Sequence, residues 1–435
     1  MQSLRQFFKF DELNTNFTRE SIAGLTTFVS MLYILFVNPS VLGAAGMDQG
    51  AVFTATGLTA ALATIFMGVV AKYPIAIAPG LGVNAFFAYS VVLGMGIPWQ
   101  TALAGVLVAA MIFLILTLFK IRETIINAIP ENLKAAIAAG IGLFITFIGL
   151  VNSGIVVNND ATLVGIGNLT EPTTLLAIFG IVLTFVLMAR NVPASIFIGM
   201  VATAILGMLT GLISVPDTIV ASVPSLEPTF GVAIQHLGDI NSLQLATVVI
   251  TFLIVTFFDT AGTMIGLATQ AGFMKDGKMP RAGKALFSDA LGMTAGAVLG
   301  TSPTSTYVES SAGIAVGGRS GFTSVVTGIL FLFALFFSPL LAVITSQVTS
   351  AALIVVGILM ARNLRDIEWD DFAIAAPAFF IIVGMPLTYS ISDGIALGFM
   401  LYPIMMIVTK RAKQVHPLMY ILAIIFFAFL FLINH

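Results

Sequence analysis

The sequence predicts an all-α polytopic membrane protein that crosses the bilayer about fourteen times, as two inverted repeats of seven segments. Three observations lead to this prediction. Of the 435 residues, 58% are hydrophobic and only 9% are charged, and all 18 Lys and Arg fall on one side of the predicted topology. Soluble proteins carry about 25% charged residues. The chain therefore has too few charges to cover a water-soluble surface.

Composition also excludes several functions. The chain has no cysteine, which excludes disulfides and cysteine-based metal sites. A formal net charge of −2 leaves no global basic face for nucleic acid. The histidines are too scattered for a metal site, and we expect no cofactor; they are His236, His416 and His435. Residues 1–20 lack the apolar core of a signal peptide and predict a cytoplasmic lead-in lying on the membrane surface.

Apolar stretches of about 20 residues are needed to cross the hydrocarbon core. In the first repeat (21–213) we place them near 21–43, 50–70, 79–94, 100–119, 133–152, 172–189 and 194–213. After an extracytoplasmic linker at 214–243, the second repeat (244–409) has segments near 244–268, 282–299, 304–317, 320–343, 349–361, 371–387 and 391–409. The C-terminal part, 410–435, contains an apolar stretch at 417–433. This stretch is either a fifteenth crossing or a helix in the interface.

The basic residues test this topology independently. If the N-terminus is cytoplasmic and each segment crosses once, every Lys and Arg is cytoplasmic, and the opposite loops, including 152–171 and 214–243, have none. This is a strong form of the positive-inside rule. One missed crossing would break the pattern from that point onward. We therefore predict a protein of the cell (plasma or inner) membrane with a cytoplasmic N-terminus.

Segments 3 and 10, the third of each repeat, share an interrupted beginning. Residues 73–84 read YPIAIAPGLGVN and residues 300–309 read GTSPTSTYVE. Because Pro disfavours helix in the residue before it and is tolerated in a first helical turn, we predict an extended piece followed by a half-length helix in each. The two half-helix N-termini would meet near the middle of the membrane, where inverted repeats place substrate sites.

Three acids lie inside the predicted segments and away from their ends: Asp259 in segment 8, Asp289 in segment 9 and Glu309 in segment 10. An intramembrane charge costs about 2.5–3.5 kcal/mol on insertion scales, so such acids are functional candidates. We predict that Glu309 binds substrate and that Asp259 binds substrate and couples a proton, shared with Glu309. Asp289 is assigned a structural or gating role. The structural alternatives are an interhelical hydrogen bond for Asp259 and a protonated helix cap for Glu309.

Further polar side chains complete the predicted substrate site: Asn84 in segment 3, Thr306 and Tyr307 at the break of segment 10, and Tyr33 in segment 1. An amide donates and accepts at once, which suits a heterocycle with mixed edges. The tyrosines are candidates for stacking. Two carboxylates and an amide fit a neutral, planar solute with N–H donors better than an inorganic anion, while sugars stay open on chemistry alone.

Residues 26–39 (TTFVSMLYILFVNP) resemble the first helix of the azaguanine-type purine permeases, within the nucleobase–ascorbate transporter group. The same resemblance extends through 80–89 (GLGVNAFFAY), 258–263 (FDTAGT) and 301–313, in the expected order. The stretch 417–433 is a departure, since the fourteen-segment scheme does not need it.

The resemblance implies a core domain (segments 1–4 and 8–11), a gate domain (segments 5–7 and 12–14) and often a homodimer. It implies proton-coupled uptake of purine nucleobases, chiefly hypoxanthine and guanine. The family's functional positions match Asn84, Asp259 and Glu309. Residues 307–309 also resemble the Tyr-x-Glu of related uracil permeases, in which the Glu binds the base.

Other functions are weighed against this one. An adenine or other nucleobase permease stays open. An anion transporter of the same architecture would need a cation or bare half-helix dipoles where this chain has acids. A channel has no need of titrating acids at a helix break. The Gly-x-Gly-Asp of an intramembrane aspartyl protease and the phosphate-binding loop of an ATPase do not occur. We therefore predict an elevator-like symporter and not an enzyme.

Overall fold

The computed structural model describes residues 2–119, 129–240, 243–274 and 279–432. Each predicted segment of the first repeat corresponds to a helical stretch: Phe17–Met31 with Ile34–Ala44, Gln49–Phe66 with Met67–Ala71, Leu81–Ala85 with Phe86–Gly94, Trp99–Leu118, Glu131–Asn152, Pro172–Ala189 and Ser195–Leu209. Each predicted segment of the second repeat also corresponds to a helical stretch: Leu243–Gln270, Ala282–Leu299, Ser310–Ala315, Gly321–Ala334 with Leu335–Val343, Ser346–Met360 with Ala361–Asp366, Phe372–Thr388 and Ile391–Val408. Among the described residues, 8 helices are long and apolar enough to cross a membrane.

The two interrupted segments meet as a pair of short strands. Strand β1 (Ile77–Pro79) precedes the half-helix of segment 3 and strand β4 (Thr304–Thr306) precedes that of segment 10. They pair antiparallel, with Ala78 opposite Ser305. The pairing extends beyond both ends: Gly80 N donates to Pro303 O at 3.0 Å and Tyr307 N donates to Ala76 O at 3.0 Å. The prediction of an extended piece followed by a half-length helix in each repeat is confirmed.

Short polar side chains begin several of the helices. Asn16 and Asp48 accept from the N–H groups of Arg19 and Ala51 at 2.9 and 2.7 Å, at the starts of segments 1 and 2. Ser320 and Ser390 do the same for segments 11 and 14. A side-chain acceptor satisfies an N–H group that has no partner within the helix. These caps explain why the apolar runs begin as helices at these positions.

The helices pack in two groups, which we call the first and the second packing group. In the first, segment 11 packs on segments 1 and 2, segment 9 on segments 2 and 4, and segment 8 on segments 4 and 10. In the second, segment 5 packs on segments 12 and 13, segment 13 on segment 14, and segment 6 on segments 7 and 12. Contacts between the groups are sparser. The predicted division into a core domain and a gate domain, and their separate movement, stay predictions.

Close helix contacts in the second packing group depend on glycine. A Cβ atom added to Gly142 in segment 5 would lie 2.9 Å from the carbonyl oxygen of Gly357 in segment 12. A Cβ added to Gly357 would in turn collide with Thr146. Since lipid gives no hydrophobic drive for helix association, close backbone approach at small residues supplies much of the attraction. This contact holds segment 12 at the position from which it reaches the cavity described below.

Two features lie outside the predicted segments. The loop after segment 5 contains an exposed hairpin of strands β2 (Val156–Asn159) and β3 (Leu163–Ile166), which an all-α assignment omits. The lead-in does not rest on the membrane surface alone. Phe8 and Phe10 are 4% and 0% exposed, and Phe10 packs edge-on against Phe17 at 4.8 Å between ring centroids. These aromatic rings of the N-terminal stretch are therefore buried against the protein itself.

The C-terminal stretch forms a helix, Pro417–Leu432. It packs on segments 8 and 14. Met419 and Phe426 are fully buried, and Phe426 lies edge-on to Phe399 of segment 14 at 5.8 Å. The helix is therefore docked on the protein along one face, whichever of its two predicted placements in the membrane it adopts.

Asp371 connects the ends of segments 13 and 14. It precedes the helix Phe372–Thr388, accepts from Ala373 N at 3.1 Å and accepts from Arg411 Nη2 at 2.8 Å. The Arg411 guanidinium holds the pKa of the Asp371 carboxyl below its usual value of 3.8. The ionised Asp371 carboxylate therefore stabilises the fold when the pH is above the usual pKa of an aspartate. This stabilisation is lost as the pH falls through the lowered pKa of the folded state.

We expect Asp371→Asn to lower the melting temperature at about pH 7, where the ion pair is fully formed. Asp371→Ala should lower it further, because alanine also removes the helix cap. Thermal unfolding in detergent measures both. The difference between wild type and Asp371→Asn should shrink only in strongly acidic buffer. An undiminished difference there would contradict the assignment to ion pairing.

Candidate functional site

A cavity of about 550 Å³ lies between the two packing groups, where the broken segment 10 faces segment 12. Its first-group wall comes from Tyr33, Leu81, Gly82, Thr263, Ser305, Thr306, Tyr307, Val308 and Glu309. The second-group wall is mainly apolar and comes from Ala138, Val356, Leu359 and Met360. Arg362, Asn363 and Arg365 form its mouth, which reaches the surface at that end of the molecule. The volume falls in the usual range for small-molecule sites.

Glu309 is the acid that the structure places in the cavity wall. It immediately precedes the half-helix Ser310–Ala315. Its Oε1 accepts a hydrogen bond from the Tyr33 hydroxyl at 2.6 Å. Tyr33 is 1% exposed and comes from segment 1, in the other repeat. A hydrogen bond to a carboxylate is strong and directional, so Tyr33 orients the carboxyl group within the cavity.

The other predicted residues of segment 10 anchor the break. The Tyr307 hydroxyl donates to Pro79 O at 2.5 Å, so it is bound to strand β1 at the start of segment 3. Thr306 Oγ1 donates to Thr260 O of segment 8 at 3.1 Å. Both residues also line the cavity. Their polar atoms hold β4 in place, while their remaining atoms form the wall.

Asn84 lies outside the cavity lining. It is fully buried, and its Nδ2 donates to Asn38 Oδ1 at 2.9 Å. Asn38 Nδ2 in turn donates to Thr56 and Thr301 at 2.7 and 2.8 Å, and Ser302 donates to Asn38 Oδ1 at 3.3 Å. Asn38 therefore connects segment 3, through Asn84, to the residues that precede strand β4, through Thr301 and Ser302. The geometry gives Asn84 a positioning role, and direct contact with a substrate stays a prediction.

The two half-helices differ in the backbone groups that they offer. At the start of segment 10, the N–H groups of Ser310, Ser311 and Ala312 donate to the carbonyls of residues 307–309 at 2.9–3.1 Å. In segment 3, Leu81 and Gly82 form the first turn of the helical run and line the cavity. First-turn N–H groups have no acceptor within their own helix. Segment 3 is thus the better source of backbone donors to a ligand.

The remaining predicted acids are placed differently. Asp289 is 2% exposed and accepts from Thr304 Oγ1 at 3.4 Å. Since Thr304 begins β4, this contact agrees with a structural role and leaves gating untested. Asp259 lies on the helix Leu243–Gln270, but its side chain falls outside the described part of the structure. Thr263, four residues further along, lines the cavity.

Glu20 is not among the acids that the sequence places inside the segments. It is fully buried and accepts from Thr15 Oγ1, Ser320 Oγ and Thr323 Oγ1 at 2.6–2.7 Å. The N–H groups of Arg319 and Ser320 donate to it at 3.0 and 3.1 Å. The carboxyl group of Glu20 is thus surrounded by hydrogen-bond donors. An acid in the first turn of an apolar helix was the available signal.

Arg319 completes this support from the other end of the half-helix. Its Nη1 donates to Ile314 O and Gly318 O at 2.6 and 2.7 Å. A cation at the C-terminal end of a helix satisfies its last carbonyls and complements its dipole. The half-helix that follows Glu309 is therefore capped by Arg319, whose own backbone is held by Glu20 of segment 1.

A polar cavity at the crossing of two broken segments, inside a polytopic helical bundle, is the site of a solute transporter. Residues 18–397 match the model of the permease family (Xan_ur_permease). The chain belongs to this family. It is 58% identical over 432 residues to the guanine/hypoxanthine permease PbuG of Bacillus subtilis, covering 97% of this chain and 98% of that protein.

Two further relatives cover nearly the same length. The guanine/hypoxanthine permease PbuO of Bacillus subtilis is 45% identical, over 98% of this chain and 100% of its own. The adenine permease AdeP of Escherichia coli is 43% identical, over 97% of this chain and 95% of its own. Among solved structures, the transmembrane domain of the cyanobacterial bicarbonate transporter BicA matches with a TM-score of 0.63 at 15% identity, covering 87% of this chain and 97% of that one. That likeness establishes the fold alone.

We expect Asn38→Ala to lower the free energy of unfolding by at least about 2 kcal/mol, because buried groups left without partners cost about 1–3 kcal/mol each. Thermal or denaturant unfolding in detergent measures this. Asn158→Ala, on the exposed hairpin, is the control and should change little. Equal stability of the two variants would show that the Asn38 network does not hold the break together.

Proposed function

We propose that the protein is a proton-coupled symporter that imports purine nucleobases, chiefly hypoxanthine and guanine, by alternating access. The observation that carries the proposal is Glu309, a carboxylate oriented by Tyr33 in the wall of a membrane-embedded cavity. The names of PbuG and PbuO support the same substrates.

The cavity's chemistry fits a flat base with N–H donors on one edge. The Glu309 carboxylate, which Tyr33 orients, accepts a ring or exocyclic N–H group of the base. The first-turn N–H groups of Leu81 and Gly82 donate to acceptors on the base. Val356, Leu359 and Met360 cover its apolar face from the second packing group. Each polar edge of the ligand then has a partner, which desolvation inside a membrane requires.

The same chemistry ranks the rival substrates. Hypoxanthine and guanine carry a hydrogen on the ring nitrogen N1, whereas adenine has an acceptor there. A carboxylate that accepts from the N1 edge favours the oxopurines over adenine. The identity to PbuG, at 58%, is also higher than that to AdeP, at 43%. A bicarbonate-like anion would meet a like charge at Glu309, which disfavours it. The adenine permease is the second candidate function.

Asp259 is our choice for the proton-coupling acid, acting together with Glu309. The two acids would titrate as a pair, so the apparent pKa values would describe the pair and not either residue alone. Transport then requires the first packing group, as the core, to move with its site against the second, as the gate. We place the protein in the cell membrane with a cytoplasmic N-terminus, on the positive-inside rule, and working as a homodimer.

We expect Glu309→Gln to reduce hypoxanthine uptake by at least about tenfold, because a hydrogen bond to a charged group contributes about 1.5–3 kcal/mol. The assay is uptake of radiolabelled hypoxanthine into cells that lack their own purine permeases. Saturable uptake that collapses with a protonophore and is blocked by unlabelled guanine is the expected wild-type behaviour.

The matched control is Glu227→Gln, the same change at an exposed position of the linker. Near-normal uptake by Glu309→Gln would reject Glu309 as the binding acid. A well-expressed wild type that takes up adenine but not hypoxanthine would favour the second candidate. Inhibition by bicarbonate or sulfate without any inhibition by bases would favour an anion transporter.

We expect Tyr33→Phe to weaken hypoxanthine binding by about tenfold, since the Glu309 carboxylate loses the hydroxyl that orients it. Binding to the purified protein measures the effect. Tyr420→Phe is the control, because its hydroxyl donates to Ala412 O at 3.3 Å, away from the cavity lining. Unchanged binding in both variants would mean that Tyr33 does not set the orientation of the acid.

A further inference from the structure

The mouth of the cavity carries charge that a neutral base does not use. Beyond Glu309, the lining passes to Arg362, Asn363 and Arg365, on the helical turn Ala361–Asp366 that follows segment 12. A two-ring base held at Glu309 is small compared with a cavity of about 550 Å³. The space left over leads from the base site toward two guanidinium groups.

Arg362 and Arg365 are both exposed at the mouth. The Arg365 Nε lies 3.5 Å from Asp366 Oδ1, and both side chains are largely exposed, so this ion pair is weak. Asn363 donates to Met360 O at 2.8 Å, which keeps its side chain against the turn at the mouth. A guanidinium group can donate two parallel hydrogen bonds to a phosphate, which the ammonium group of a lysine cannot do with the same geometry.

The charges along the cavity set one orientation for an elongated ligand. Glu309 at the inner wall attracts N–H donors and repels anions, while Arg362 and Arg365 at the mouth attract anions. A ligand with a purine at one end and a phosphate at the other would match this arrangement. On the positive-inside rule the mouth faces the cytoplasm, where an imported base is joined to ribosyl phosphate by a transferase reaction.

We propose that the cavity also binds purine nucleoside monophosphates from the cytoplasmic side, with the base at Glu309 and the phosphate on Arg362 and Arg365. The proposal rests on the proposed function, since it uses the same base site. The ribosyl phosphate lies across the mouth and prevents segment 12 from closing on the first packing group. The nucleotide is therefore an inhibitor and not a cargo, and it slows import when the product of the base accumulates.

The test is displacement of labelled hypoxanthine from the purified full-length protein. GMP is compared with guanosine, which lacks the phosphate, and with ribose 5-phosphate, which lacks the base. We expect GMP to compete at least about tenfold better than guanosine, in a salt-sensitive manner, because exposed charge pairs are screened by salt. Ribose 5-phosphate alone should compete poorly.

The double variant Arg362→Gln/Arg365→Gln should lower the ratio of GMP affinity to hypoxanthine affinity at least tenfold. Arg190→Gln, an exposed arginine outside the cavity lining, is the control and should leave the ratio unchanged. In proteoliposomes, GMP should inhibit only from the face that carries the mouth.

The outcomes separate this proposal from the proposed function. Hypoxanthine binding with GMP no better than guanosine, or a ratio that the double variant does not change, overturns the nucleotide site alone. If neither hypoxanthine nor GMP binds a folded protein, the proposed function fails and the nucleotide site fails with it. Binding of GMP without binding of any base would also reject both, because the shared base site would then be absent.

Discussion

The structure depends on one constraint: backbone N–H and C=O groups within the membrane must be hydrogen-bonded inside the protein. Two segments that stop being helical in mid-membrane would violate it, unless each supplies partners for the other. The antiparallel pairing of β1 with β4, and its extension by Gly80 and Tyr307, does this. Each repeat alone would leave its extended piece unpaired. The crossing therefore requires both repeats, and the site forms where they meet.

The side chains around the crossing serve the same end. Asn38, Tyr307 and Thr306 each connect an extended piece to a neighbouring segment through a hydrogen bond. Glu20 and Arg319 support the far end of the half-helix that follows Glu309. Buried polar groups are stable only when they are satisfied. Much of the polar chemistry in the first packing group thus supports the site from outside the cavity.

The two walls of the cavity differ in polarity. The first packing group supplies the carboxylate, the hydroxyl groups and the backbone donors, whereas the second supplies mainly Val356, Leu359 and Met360. A polar site on one group and an apolar surface on the other can separate at low cost, because apolar side chains form no hydrogen bonds that would have to break. This is the arrangement that movement of one group past the other requires.

The sequence by itself determined the order and extent of the apolar segments, because the length of an apolar run is set by the bilayer and needs no tertiary contact. It also determined where segments 3 and 10 break, since Pro restricts its own neighbours along the chain. It indicated Glu309 as a candidate, and the structure places this acid in the cavity wall. Only the tertiary structure decided that Tyr33 binds Glu309, that Asn84 binds Asn38 away from the cavity lining, and that Glu20 is buried. Those facts depend on contacts between residues far apart in the chain, such as the 276 positions between Tyr33 and Glu309, and no local pattern encodes which of several polar side chains will meet.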